Sequence, residues 1–389
     1  MNTNAYKDFL ADCKETLKEE KCFSCKTDNP DDIISEVFSN KEYVKRVVAN
    51  IRSKIINKID ENLITFDKSF STNGGIINWC IDYNDFLLKL DKILLKNKIR
   101  EVNLFYSYFT QELGIDKFLK NKDYILDTES NDCVIFTPQF GIINTGSLFL
   151  NFDSSYDMEL VLNSRIKIFV LSICDFLSKA EETEMFSYFY SIYKNNTNFP
   201  YLTSLYTPSP INADESVYLF LIDNGRSNVL ENKSIRNALT CINCGACKNV
   251  CPVFNLIGDK PYDNVFSGPI ANVILPFMEN SENYKHLCFS CTSCGNCSSV
   301  CPIKIPVCEM ITLNKNYFFE NKLMDIKDER LAKLGYRFVV SRKNMNSKKW
   351  FKMLRFKRLT NSDIFEQYKF QKSTFNKQYI ENKYDRKND

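Results

Sequence analysis

Residues 241–253 read C-I-N-C-G-A-C-K-N-V-C-P-V and residues 291–303 read C-T-S-C-G-N-C-S-S-V-C-P-I, one pattern repeated at an offset of 50. Seven of the thirteen positions are identical, and they include all four cysteines, one glycine and the proline. Three thiolates at i, i+3 and i+6 can wrap three corners of an iron-sulfur cubane, and in C-x2-C-x2-C-x3-C-P runs the fourth cysteine ligates the other cluster. That rule assigns Cys241, Cys244, Cys247 and Cys301 to one 4Fe-4S cluster, and Cys291, Cys294, Cys297 and Cys251 to a second. The competing metal is zinc, but structural zinc sites pair two C-x2-C knuckles across a spacer, and these runs do not have that form. Gly245 and Gly295 lack a Cβ, which lets the backbone close on inorganic sulfide. Pro252 and Pro302 suit the first turn of a helix leaving each cluster.

Cys288 opens a second register, since C-F-S-C-T-S-C from Cys288 to Cys294 is also a C-x2-C-x2-C run. That register strands Cys297, so the repeat offset favours Cys291 as the first ligand. Cys288 and Cys308 then read as small buried apolar neighbours, with replacement of a ligand left open because soft thiolates bind such metals readily.

Working outward, ten of the sixteen cysteines fall between 241 and 308, too concentrated for a disulfide scaffold in a chain of 389 residues. A reducing cytoplasm is the expected setting. The N-terminus M-N-T-N-A-Y-K-D-F-L has neither a basic n-region nor an apolar h-region, and no run approaches eighteen apolar residues, so neither secretion nor a membrane span is expected. The composition, 44% hydrophobic and 25% charged, is that of a globular protein. Net charge is +3 but uneven: residues 342–389 hold fourteen Lys or Arg against five Asp or Glu, a net +9, and the first 341 residues carry −6. The run K-K-W-F-K-M-L-R-F-K-R from Lys348 is basic and amphipathic. It reads first as a helix packed on its own domain, with peripheral membrane contact or partner docking as the alternatives. No reader motif accompanies it, so no nucleic-acid partner is expected.

Upstream, Val44, Val47, Val48, Ile51, Ile55, Ile59 and Leu63 form an apolar stripe of helical spacing. Cys22 and Cys25 make an isolated C-x2-C with no second pair, and their role is open. Strands are predicted from Ile76, Val102, Val134, Ile166 and Val217. A hairpin is expected over F-G-I-I-N-T-G-S-L-F-L-N-F from Phe140, and helices from Asp85, over 110–122 and over 178–193. The helix between the strands at 76 and 102 implies a parallel pair. A turn such as Gly146-Ser147 can hold a phosphate or carboxylate on backbone N–H groups, though more often it only turns the chain. A helix over N-K-S-I-R-N-A-L from Asn232 would deliver the first cysteine run, and the 39-residue spacer between runs, with a helix from Ile270 to Leu275, suits an α-helical ferredoxin. Residues 306–320 should form a closing helix.

The stretches G-G-I-I-N-W from Gly74, F-G-I-I-N-T-G-S-L from Phe140, L-I-D-N-G-R-S from Leu221, S-G-P-I from Ser267 and both cysteine runs resemble the lactate-utilisation iron-sulfur proteins of the LutB type. Those proteins join a LUD domain to a two-cluster ferredoxin module. The resemblance implies an α/β LUD domain, related to CoA transferases and ribose isomerases, followed by an all-α ferredoxin domain. The expected division is an N-terminal helical segment 1–70, a LUD-like domain 71–231, a ferredoxin domain 232–320 with two 4Fe-4S clusters, and a basic, mostly helical tail 321–389. It also implies a cytoplasmic place in a three-part complex oxidising L-lactate to pyruvate, with the eight cysteine ligands carried over position by position. Members usually have a longer insert before the G-I-I-N-T-G-S core, and a Lys-Ser-Met loop where this chain has Y-S-Y-F-T-Q-E-L from Tyr106.

The single histidine, His286, lies beside the second run and reads as a solvated or cluster-tuning residue. No G-x-G-x-x-G follows a strand, and neither a flavin nor a nicotinamide site is legible. Two clusters without a catalytic constellation point to an electron-transfer subunit working with the other subunits of a lactate-oxidation complex and an electron acceptor. The alternative is a LUD sensor or binding protein for a carboxylate or phosphate, with structural or redox-sensing clusters.

Overall fold

The computed structural model describes residues 40–126, 130–195, 202–209, 215–262, 266–279 and 281–323, with residues 330, 333 and 336. Cys22, Cys25 and the basic run from Lys348 lie outside these. The chain divides into two units, residues 2–315 and residues 316–389 with Met1. Everything below concerns the first unit, apart from the last turns of the helix Val307–Glu320, which pass residue 315.

Its frame is a six-stranded sheet. In chain order the strands are β1 (Ile76–Cys80), β2 (Glu101–Leu104), β3 (Ile125–Leu126), β4 (Cys133–Phe136), β5 (Phe140–Ile142), β6 (Ser147–Phe152), β7 (Ile166–Ser172), β8 (Phe176–Leu177), β9 (Leu202–Tyr206) and β10 (Ser216–Ile222). The large sheet runs β1-β10-β7-β4-β2-β3 with every pairing parallel, and a smaller one runs β8-β5-β6-β9. β4 and β7 are buried at every position, as expected of central parallel strands covered on both faces. Burying Ile166, Ile168, Phe169, Val170 and Leu171 stabilises the sheet by about 1.5–3 kcal/mol each. Lys167 survives in this apolar strand because its ammonium meets Ser164 O at 2.6 Å and Glu215 at 2.9 Å.

The α/β reading holds, with corrections. β1 and β2 are parallel members of one sheet but not neighbours: β1 pairs β10, and β2 pairs β3 and β4. The stripe from Val44 to Leu63 belongs to two helices, Lys41–Asn57 and Ile59–Thr72, broken at Lys58. The break is stable because the Ile55 carbonyl is taken by Lys58 N–H and Asn62 Nδ2. The helix over 110–122 is likewise two, Tyr108–Glu112 and Ile115–Asn121, parted at Gly114 with φ of 63°. The hairpin appears as β5 and β6, antiparallel. Two of its turn amides are already taken: Gly146 N–H bonds Ile142 O and Asn144 N–H bonds Ser178 O. A Cβ on Gly146 would sit 2.5 Å from the Phe70 amide nitrogen, so the turn is pressed against the helix Ile59–Thr72.

After β10 the described elements are all helical. They are Arg226–Glu231, a 3-10 turn Arg236–Thr240, Ala246–Asn249, Phe254–Ile257, a 3-10 turn Gly268–Ile270, Ala271–Met278, Ser281–Ser290, Asn296–Val300 and Val307–Glu320. The helix expected from Asn232 shrinks to that first 3-10 turn, and Ser281–Ser290 is a helix the sequence reading did not place. No helix among the described residues is long and apolar enough to cross a membrane.

Candidate functional site

Parallel strands end on one edge of a sheet, and that is where the chain's chemistry collects. After β7 come Cys174 and Asp175; after β10 comes Asp223-Asn-Gly-Arg226. Asp223 accepts from the Ser227 amide and hydroxyl, both at 2.7 Å, and so starts the helix Arg226–Glu231. Gly225 has φ of 84°, and a Cβ there would come within 2.0 Å of the Met278 carbonyl oxygen, so no other residue fits. Arg226 turns inward, almost fully buried, and donates through Nη1 and Nη2 to the two carboxylate oxygens of Glu112, 3.2 Å each. Phe109 and Phe266 stand 5.0 and 5.6 Å from its guanidinium carbon. Burial works against the charge, but the Glu112 carboxylate outweighs it and holds Arg226 above the ordinary arginine value.

A second buried arginine holds the entrance to the first cysteine run. Arg52, fully buried, donates to Thr240 O (3.1 Å), Leu239 O (3.2 Å), Cys174 O (2.9 Å) and Phe176 O (2.9 Å), and reaches Asp175 at 3.5 Å. It ties the chain just ahead of Cys241 to the turn after β7. Sequence reading missed it, though a signal existed: an arginine four residues after Val48, on the apolar side of its helix.

The two cysteine loops repeat in backbone conformation as they do in sequence. Asn243 and Ser293 have φ of 52° and 56°, and Gly245 and Gly295 have 79° and 81°. The amides of Asn243 and Ser293 point at Cys241 Sγ and Cys291 Sγ at 3.3 and 3.4 Å. Each loop then opens a short helix, Ala246–Asn249 or Asn296–Val300. The positive φ makes glycine the favoured residue at 245 and 295. Pro252 and Pro302 lie in turns, not in the first turn of a helix. After Pro302 the chain passes through Lys304 with φ of 58°, and the helix starts only at Val307.

Cys241, Cys244, Cys247 and Cys301 line one small cavity of about 20 Å³, walled by Ile242, Ile270, Ile303, Ile305 and Val307. The amide of Ile305 donates to Cys301 Sγ at 3.4 Å. Burial raises all four thiols, Cys241 to about 12, and each of Cys241, Cys244 and Cys247 feels Cys301. Cys251, in contrast, feels Cys291 and Cys294, and Cys297 feels Cys291 and Cys251. The fourth cysteine of each run therefore sits with the first three of the other. Phe254 N–H donates to Cys251 Sγ at 3.4 Å. Among the described residues no three His, Cys, Asp or Glu side chains close on a single metal ion; a cubane spaces its thiolates wider, one to each iron.

Cys288 is fully buried, its thiol against Asn272 O at 2.9 Å, as read from sequence. Cys308 is half-buried and belongs to the second group, within electrostatic reach of Cys297, Cys291 and Cys294. His286 is pulled below the ordinary histidine value by burial.

Residues 237–305 match the 4Fe-4S dicluster domain family. The chain is similar to lactate utilization protein B of Exiguobacterium sp., 37% identical over 34% of this chain and 28% of that one. It is also similar to the proteins of that name from Bacillus cereus strain B4264, at 29% over 64% of this chain and 56% of that one, and Macrococcus caseolyticus, at 28% over 59% and 50%. The alignments thus span about half or less of those relatives' lengths. A solved DUF162 family protein from Deinococcus radiodurans matches 44% of this chain and 97% of its own, at 14% identity and a TM-score of 0.28.

Proposed function

Since this chain is kin to lactate utilization protein B and carries a 4Fe-4S dicluster domain, we propose that it is the iron-sulfur electron-transfer subunit of a complex oxidising L-lactate or a related 2-hydroxy acid. Cys241, Cys244, Cys247 and Cys301 would hold one cluster and Cys291, Cys294, Cys297 and Cys251 the other, within an α-helical ferredoxin module. The observation that carries this reading is the crossing of the fourth cysteines: Cys301 lies with the first run and Cys251 with the second.

The residues present fit the group. All four donors around the first cavity are thiols, and the walls are apolar. A 4Fe-4S cluster supplies one-electron transfer when bound. The chain's own part is to exclude water with Ile242, Ile303 and Ile305, and to aim the amides of Asn243, Phe254, Ser293 and Ile305 at sulfur, which stabilises negative charge there. Oxidation of the hydroxy acid falls to a partner subunit, in a cytoplasmic assembly that the basic tail would help dock to a partner or a membrane surface. The alternative, a LUD sensor for a carboxylate or phosphate, has less support: Arg226, among the described residues the one cation lining the cleft beyond β2, β4 and β7, is already paired with Glu112.

Anaerobically purified full-length protein should contain about eight irons per chain, and Cys251→Ser or Cys301→Ser about four. Both variants retaining eight irons would sink the crossed assignment, and zinc in place of iron would sink the relay.

A further inference from the structure

The carboxy ends of β2, β4 and β7 open on a cleft of about 500 Å³ whose floor includes Cys241, Ile242 and Asn243 of the first cysteine run. Its volume lies in the range of small-molecule sites and is far larger than a small hydroxy acid would fill. Its place at the carboxyl edge of a parallel sheet is where such folds take ligands.

The lining has two characters. Aromatic rings crowd it, with Phe105, Tyr106, Tyr108 and Phe136 on the β2 and β4 side. Tyr106 and Tyr108 are about half exposed, at 51% and 49%, although the core has ample apolar company. The charges on its lining are Asp153, Asp157 and Asp175 against Arg226; Asp175 lies 3.5 Å from the buried Arg52, and the carboxylate of Glu112 already occupies both terminal nitrogens of Arg226, which leaves Asp153 and Asp157 as the negative excess. Arg226 Nε and Asn151 Oδ1, on two of the lining residues, are buried without a partner. Flat apolar faces, leftover donor and acceptor atoms and an excess of negative charge describe a particular ligand. It stacks, accepts and donates a few hydrogen bonds, and carries no negative charge of its own. Nucleotides, CoA esters and simple carboxylates do not meet that description.

We propose that this cleft binds a flat heteroaromatic ring compound without negative charge, stacked on Tyr106 and reaching the loop that carries Cys241. Binding itself draws on the α/β part of the chain and on the loop from Cys241 to Asn243. Any exchange of electrons between the ring and the first cluster rests on the function proposed above.

Riboflavin and its phosphate, FMN, separate the two characters, since they share one ring system and differ by an anion. The full-length protein, prepared anaerobically with its iron counted, is titrated into each flavin and the flavin fluorescence followed. Riboflavin should bind, with FMN at least about tenfold weaker because of the Asp153 and Asp157 carboxylates. Tyr106→Ser should weaken riboflavin about tenfold, the effect of losing one stacking face. Asp157→Asn should narrow the gap between the two flavins. Riboflavin that does not bind, FMN that binds as tightly or more tightly, or binding indifferent to Tyr106→Ser would each overturn the proposal. The iron count is read on the same samples, so loss of the clusters and loss of the ring site are distinguished.

Discussion

Replacing Arg52 by methionine tests whether one buried guanidinium holds the chain that enters the first cysteine run. Methionine keeps an unbranched apolar stem and removes every donor. Four carbonyls, of Cys174, Phe176, Leu239 and Thr240, lose their partner, as does Asp175 at 3.5 Å. An orphaned buried acceptor costs about 1–3 kcal/mol. The four do not simply add, because removing the arginine also removes the cost of burying its charge, which already pulls Arg52 below its ordinary value. A net loss of about 3–5 kcal/mol, the usual consequence of removing one member of a buried charged arrangement, is therefore expected. With a urea dependence of about 3 kcal/mol per molar, the midpoint falls by roughly 1–1.7 M. The assay is an anaerobic urea titration of the full chain followed by far-ultraviolet circular dichroism, with Arg52→Lys alongside. A lysine cannot fork to carbonyls on two segments, so it should restore less than half of the loss. A methionine variant within about 0.3 M of the parent, or full rescue by lysine, would refute the reasoning.

Glu112→Gln leaves the Arg226 charge buried between Phe109 and Phe266 with a neutral partner, and should cost about 3–5 kcal/mol in the same titration; a change below 1 kcal/mol would mean that the pair is not structural. Gly225→Ala drives a methyl group into the Met278 carbonyl at positive φ, and should lower the melting temperature by about 4 °C or more, which differential scanning fluorimetry checks. Burial pushes the Cys80, Cys174 and Cys288 thiols up to about 12 from an ordinary 9.0, so iodoacetamide at pH 8 should leave all three unlabelled in the native protein and label them in urea, read by peptide mass spectrometry. The sign of the linkage follows: these raised thiols stabilise the fold fully below their unfolded value and lose that contribution as pH climbs from about 9 toward 12, so unfolding midpoints should fall over that window.

Much of this was legible in the sequence, and the reasons differ by element. The cysteine loops were legible because spacing alone dictates which thiols can gather. The backbone repeats the sequence down to matching positive φ at Asn243 and Ser293. The hairpin of β5 and β6 was legible from the apolar runs flanking Asn144-Thr145-Gly146, and β7 and β10 from predominantly apolar stretches, with Lys167 the charged exception. Strand order was not, because an apolar run states that a strand is buried and not which strand lies beside it; hence β1 and β2 seemed partners. Arg52 is harder to read because its partners are main-chain carbonyls 122 to 188 residues away: its place four residues after Val48 marks it as inward-facing, but not what it holds. Cys308 falls outside any regular spacing, and only the folded chain brings it beside Cys297.

The seating of Gly225 beneath the Met278 carbonyl bears on how the molecule can be dissected. Asp223 and Asn224, just ahead of it, hang their amides on Cys80 and Ile81 at the far end of β1, so one short loop is bolted to the sheet on one side and to the helix Ala271–Met278 on the other. A truncation starting at residue 232 would pull this bolt out and leave a raw apolar socket along Ala271, Ile274 and Leu275. A fragment meant to carry the cysteine runs alone should therefore keep β10 and the strand beside it, or be redesigned along that seam.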